Sequence, residues 1–156
     1  MLAHIKKIGL LLFSLMLSGC ALKPLATPTG NPEVTINAST QRVKSTLVTR
    51  LASQGYILDQ DTPYSLSFHR QMDGGSALLY QVALGNAYSS TPQMIISFTF
   101  APQNGGTRVF AHVNTSMANA FGRVEQVNMD RGKAGNEVQA MLVRVKSEME
   151  GGTRGR

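Results

Sequence analysis

The chain has 156 residues, a formal net charge of +6 and one cysteine, and it is 42% hydrophobic with no tryptophan. A single cysteine excludes a disulfide framework and a multi-thiolate metal centre. Arg42, Arg50, Arg70, Arg108, Arg123, Arg131 and Arg144 stand apart in the sequence, without the cation clusters of a nucleic-acid or heparin surface.

Lys6 and Lys7 open the chain, and residues 8–17 are almost wholly apolar. That run is about half the ~20 residues a membrane-spanning helix requires. A short apolar run after a basic start reads as a secretory signal peptide. The small pair Ser18-Gly19 then precedes the lone cysteine, Cys20.

Leu17-Ser18-Gly19-Cys20 resembles the lipobox of bacterial lipoproteins. The resemblance covers the first twenty residues and rests on four coinciding features: basic start, apolar run, box and position. It implies a diacylglyceryl thioether on Cys20, cleavage between Gly19 and Cys20, and acylation (palmitate-type) of the new amino group. Each buried methylene contributes ~0.8 kcal/mol, and two or more chains give stable attachment where one does not. Ala21, in place of aspartate, resembles the pattern sorted to the outer membrane. Removing residues 1–19 takes two positive charges and no acid from +6, leaving +4.

Residues 20–33 read as the lipidated end and a flexible tether, with Pro24, Pro28, Pro32 and Gly30 in a short stretch. Val34-Thr35-Ile36 alternates as a first strand. A helix follows, capped by Asn37 or Ser39, with Val43, Leu47, Val48 and Leu51 on one arc. Lys44 falls inside that arc, where its stem would lie along apolar surface with the ammonium reaching water. Gly55 is a natural stop.

Tyr56-Ile57-Leu58 and Ser65–Gln71 read as strands, divided by a turn or bulge over Asp59–Pro63. Leu66 and Phe68 share one face; Ser67 and His69 share the other. Met94, Ile96, Phe98 and Phe100 mark the clearest strand. Asn104-Gly105 favours the positive φ angles of a tight hairpin, and Arg108–Thr115 returns. Ala134, Val138, Met141, Leu142, Val145 and Met149 form one helical stripe, capped by Asp130 or Asn128, with Arg144–Glu148 and Lys146–Glu150 at i,i+4. Two stretches fit less well: 74–86, where Leu78, Leu79, Tyr80 and Val82 are the candidate partner contact, and 117–127.

Chemistry is sparse. His69 and His112 point away from the apolar set, and without carboxylates at ligand spacing they fall short of the three or four ligands of a zinc site. There is no Gly-x-Ser-x-Gly elbow, dinucleotide fingerprint or phosphate loop. No catalytic residue, metal or cofactor is assigned.

The expected architecture is α+β: a small two-layer sandwich with an antiparallel sheet of about four strands and two helices on one face. The expected organisation is a signal peptide at 1–19, a tether at 20–33, one periplasmic domain at 34–151 and a frayed tail at 152–156. The expected role is a non-enzymatic outer-membrane lipoprotein, anchored by its N-terminal lipid, that binds an envelope protein as an accessory or assembly component. The alternative is a lipid- or envelope-polymer-binding module. Nucleic acid is not among the partners.

Overall fold

The structure, a computed structural model, describes residues 25–75, 90–118 and 121–151. Among these the chain forms an antiparallel α+β fold of six strands and two helices. In order they are β1 (Glu33–Ile36), α1 (Thr40–Ser53), β2 (Ile57–Thr62), β3 (Ser65–Gln71), β4 (Gln93–Gln103), β5 (Gly106–Ala118), β6 (Val124–Asn128) and α2 (Lys133–Gly151). The sheet runs β2-β3-β4-β5, and β1 and β6 both pair with the far edge of β5. β1 takes Thr107–Phe110, and β6 takes Asn114–Ala118. Two short strands thus lie along one long edge.

Alternation builds the core. Leu66 and Phe68 of β3, Ile96, Phe98 and Phe100 of β4, and Val109, Ala111 and Val113 of β5 all face one side and are buried. Val43, Leu47 and Leu51 of α1 and Ala134, Val138, Leu142 and Val145 of α2 join them in a single cluster. Phe68 and Phe98 meet edge to face, centroids 6.1 Å apart. Each such large side chain contributes about 1.5–3 kcal/mol by leaving water.

Six strands replace the expected four or so. β2 continues through Asp59–Thr62, and its irregularity is a bulge between Leu58 and Gln60. The turn is confined to Pro63-Tyr64. β6 comes from the ill-fitting stretch 117–127; it is exposed along its whole length, so no burial alternation marked it. At the β4–β5 hairpin only Gly105 takes a positive φ (+82°), so Asn104 does not.

Lys44 does not reach for water. Its side chain is buried, and its ammonium donates to Asp61 Oδ1 and the carbonyl of Thr62, tying α1 to β2. Ser39 is the N-cap of α1 but makes no side-chain capping bond. That end is fixed instead by Thr40 Oγ1 to Thr107 Oγ1 at 3.0 Å, Thr107 donating on to Ala38 O at 2.9 Å. Gly55 (φ +80°) ends the helix, as expected.

Glu148 pairs with Arg50 of α1 at 2.6 Å rather than with Arg144, because the two helices lie side by side. Lys146 does pair with Glu150, at 2.7 Å. Asp130 does not cap α2; its carboxylate is engaged by β5. The first turn of α2 is seated on the chain before it instead. A Cβ on Gly135 would fall 1.8 Å from the Asp130 carbonyl oxygen, so only glycine fits there.

Candidate functional site

The face of the sheet opposite the core carries the polar half of each alternation. Ser67 and His69 of β3, Ile95, Ser97 and Thr99 of β4, and Phe110, His112 and Asn114 of β5 share it. Both histidines of the sheet therefore lie on one surface, as expected. β4 runs between their strands, and they are two residues out of register. Strand spacing and rise put them about 12 Å apart, too far to share a metal. Among the described residues no group of three or more His, Cys, Asp and Glu could hold a metal ion.

Each histidine has its own carboxylate, which sequence spacing did not reveal. His69 Nδ1 lies 2.5 Å from Asp59 Oδ1, brought to it by the β2 bulge. His112 Nδ1 lies 2.9 Å from Asp130 Oδ2. The second pair is the more constrained, because Asp130 is buried while half of the His112 side chain is exposed. Asp130 Oδ2 also accepts from Asn128 Nδ2 at 2.9 Å, and Oδ1 accepts from Val113 N–H at 2.7 Å.

Burial pushes the Asp130 carboxyl up, but the hydrogen bonds from Asn128, Val113 and His112 together outweigh it and hold it below the usual carboxylate value. Asp130 is therefore an anion at neutral pH. It holds a proton on Nδ1 of His112 and leaves Nε2 as the ring nitrogen free of that contact.

Beside His112 is a cavity of about 240 Å³ between the sheet and the chain leading into β1. Pro32 and Phe110 give it apolar walls, Ala111 borders it along β5, and Thr29, Asn31, Thr99 and His112 bring polar groups to it. The wall is held in place by local bonds. Pro32 O accepts from Ala111 N at 2.8 Å, Thr27 Oγ1 donates to Asn31 O at 2.6 Å, and Thr29 N donates to Glu33 Oε1 at 3.1 Å. Glu33 Oε2 accepts from Arg108 at 2.8 Å, and the Arg108 guanidinium lies 4.7 Å over the Phe110 ring. The charges around the cavity are thus already paired.

An acid and a histidine invite comparison with a hydrolytic triad. Ser97 stands directly across from His112 in the β4–β5 register. Its hydroxyl, however, lies 3.4 Å from Ser67 Oγ, and no hydrogen bond joins Ser97 and His112. The arrangement can hold a proton on Nδ1 and accept one at Nε2.

The residues singled out from the sequence, Gly19 and Cys20 at the signal and Leu78, Leu79, Tyr80 and Val82 as a partner contact, lie outside the described residues. His112 was flagged in the sequence, but Asp130 was read as a helix cap. No family model matches the chain, and searches of curated proteins and of solved structures find no match.

Proposed function

We propose that this chain is a bacterial lipoprotein, anchored in the outer membrane by lipid on Cys20, whose α+β domain faces the periplasm and binds another envelope protein without catalysing a reaction. The observation that carries the reading is the Leu17-Ser18-Gly19-Cys20 box at the end of a basic-then-apolar leader. Among the described residues no helix is long and apolar enough to cross a membrane.

In this reading the domain is a two-layer sandwich, and the sheet face away from the helices is its docking side. Apolar groups exposed at the sheet support a protein partner: Ile57 (60% exposed) on β2, and Phe121 (93%) and Val124 (58%) at the β5–β6 hairpin. The Ser97 hydroxyl faces Ser67 rather than His112, so these two residues do not form a nucleophile–base pair. The envelope-polymer reading stands second, favoured by the cavity beside His112.

Two experiments test the proposal. Cys20→Ser leaves an unprocessed precursor, and globomycin blocks cleavage of the wild type; normal processing of Cys20→Ser with retention on membranes overturns the anchor. Crosslinking in intact envelopes through a photoreactive residue at Ile57 or Val124 returns one recurrent protein. Repeated capture of lipid alone overturns the protein-binding role.

A further inference from the structure

The cavity beside His112 has a chemistry that narrows what it takes. Four polar side chains line it, Thr29, Asn31, Thr99 and His112; Thr29 Oγ1 accepts from Asn31 N at 3.4 Å, which leaves the Thr99 hydroxyl, the Asn31 amide and Nε2 of His112 to meet a ligand. The formal charges at its margin are committed. Arg108 is held by Glu33 at 2.8 Å and Asp130 by His112, Asn128 and Val113. An anionic ligand would be buried here without a free counter-charge, which is costly. An alkyl chain would strip water from a hydroxyl, an amide and an imidazole and return no hydrogen bond. A polyhydroxylated ligand meets both requirements: its hydroxyls exchange donors and acceptors with these three groups, and its C–H faces cover Phe110 and Pro32.

Size sets the extent of the contact. The 240 Å³ volume is below the ~300–1,000 Å³ of sites that enclose a whole drug-sized ligand. It matches one ring-sized unit, with the rest of the ligand lying outside the cavity. The Asp130–His112 contact supplies directionality. Asp130 keeps a proton on Nδ1, so Nε2 is the ring nitrogen left to meet a ligand hydroxyl.

We propose that the cavity bounded by Pro32, Thr99, Phe110 and His112 is a saccharide-binding subsite that takes one uncharged sugar unit of a longer glycan. The subsite does not depend on the protein-partner reading, and it gives a chemical identity to the polymer in the second one.

The test uses the lipidated chain extracted in detergent, titrated with N-acetylglucosamine tetramer, with maltotetraose and with inorganic phosphate. Binding is followed by calorimetry and by the amide resonances of Thr99, Ala111 and His112. One of the two oligosaccharides saturates and shifts all three resonances, and phosphate does not. His112→Ala weakens that binding at least tenfold. Because His112 also holds Asp130, Thr99→Val is the second variant: Thr99 is exposed and its hydroxyl bonds no other group among the described residues, so its loss weakens binding several-fold without altering the fold. His69→Ala, on the same face but remote from the cavity, binds as wild type. The proposal is overturned if neither sugar shifts the three resonances, if Thr99→Val and His112→Ala bind like wild type, or if phosphate saturates the site instead.

Discussion

Asp130 Oδ1 accepts the backbone N–H of Val113 at 2.7 Å, in the gap along β5 between β1 and β6. A side chain here does what a strand does elsewhere. On the same edge, Pro32 O takes the N–H of Ala111 and Met129 N donates to Val113 O. The edge is therefore satisfied without a continuous neighbouring strand, as buried backbone groups require. Asp130→Ala removes that acceptor and leaves the Val113 N–H without a partner. The expected cost is about 3 kcal/mol, within the range for losing bonds to a buried charged group. Urea unfolding monitored by circular dichroism reads it directly.

The same carboxylate makes acid stability predictable in sign. Its folded pKa is below the ordinary carboxylate value, so its stabilisation is fully present above about pH 3.9 and is lost as pH falls through the lower folded value. In Asp130→Asn this contribution is absent at every pH. Urea midpoints measured from pH 7 to pH 2 converge for wild type and Asp130→Asn at the acid end; parallel curves would show that another group governs the acid limb.

Gly135→Ala forces a methyl group to 1.8 Å from the Asp130 carbonyl oxygen, which is backbone and cannot swing aside. The start of α2 must shift, at a cost of about 3 kcal/mol or more. Gly74→Ala meets nothing within 4 Å and changes stability by less than about 0.5 kcal/mol. Thermal melts of the two variants separate a requirement for close approach from a general effect of replacing glycine.

Lys44 and Asp61 form an asymmetric pair, 8% and 54% exposed at their side chains. Removing Asp61 leaves a buried ammonium with the Thr62 carbonyl as its remaining partner, whereas removing Lys44 leaves a carboxylate that water reaches. Asp61→Ala is therefore expected to cost about 1–2 kcal/mol, reduced from the full buried-pair penalty by the exposure of Asp61. Lys44→Met, similar in volume and apolar, stays within about 1 kcal/mol of wild type. Equal losses in the two variants would count against the asymmetry.

Much of the fold was legible because its core obeys simple periods. Leu66/Phe68, Met94 through Phe100 and the stripe from Ala134 to Met149 fall on the elements their spacing implies. Two strands were hidden for different reasons. Asp59–Thr62 resembles a turn by composition, yet it sits on an edge, where polar and charged residues are tolerated and discourage unwanted pairing. β6 buries neither face.

The site was half legible. Period 2 placed His69 and His112 on the polar face, but their carboxylates come from other elements. Asp59 reaches His69 through a bulge, and Asp130 reaches His112 from the link between β6 and α2. Asp130 lies three residues before Lys133, the first residue of α2, so it falls short of the cap position at Gly132, and the pairing of β5 with β6 brings it to the sheet.

The place of β1 has a consequence for the order in which the chain becomes a protein. The first strand has no neighbour nearby in sequence: Glu33 bonds Arg108, 75 residues on, and Gln139, 106 residues on. Loop closure over such distances comes late and slowly. As the chain lengthens, its N-terminal third has nothing to complete it, and the sheet closes only after β5 and α2 have appeared. On the proposal that residues 1–19 are a secretory leader, the chain is threaded through a membrane before it folds. A topology whose opening strand waits for the closing elements keeps such a chain threadable until almost all of it has been made.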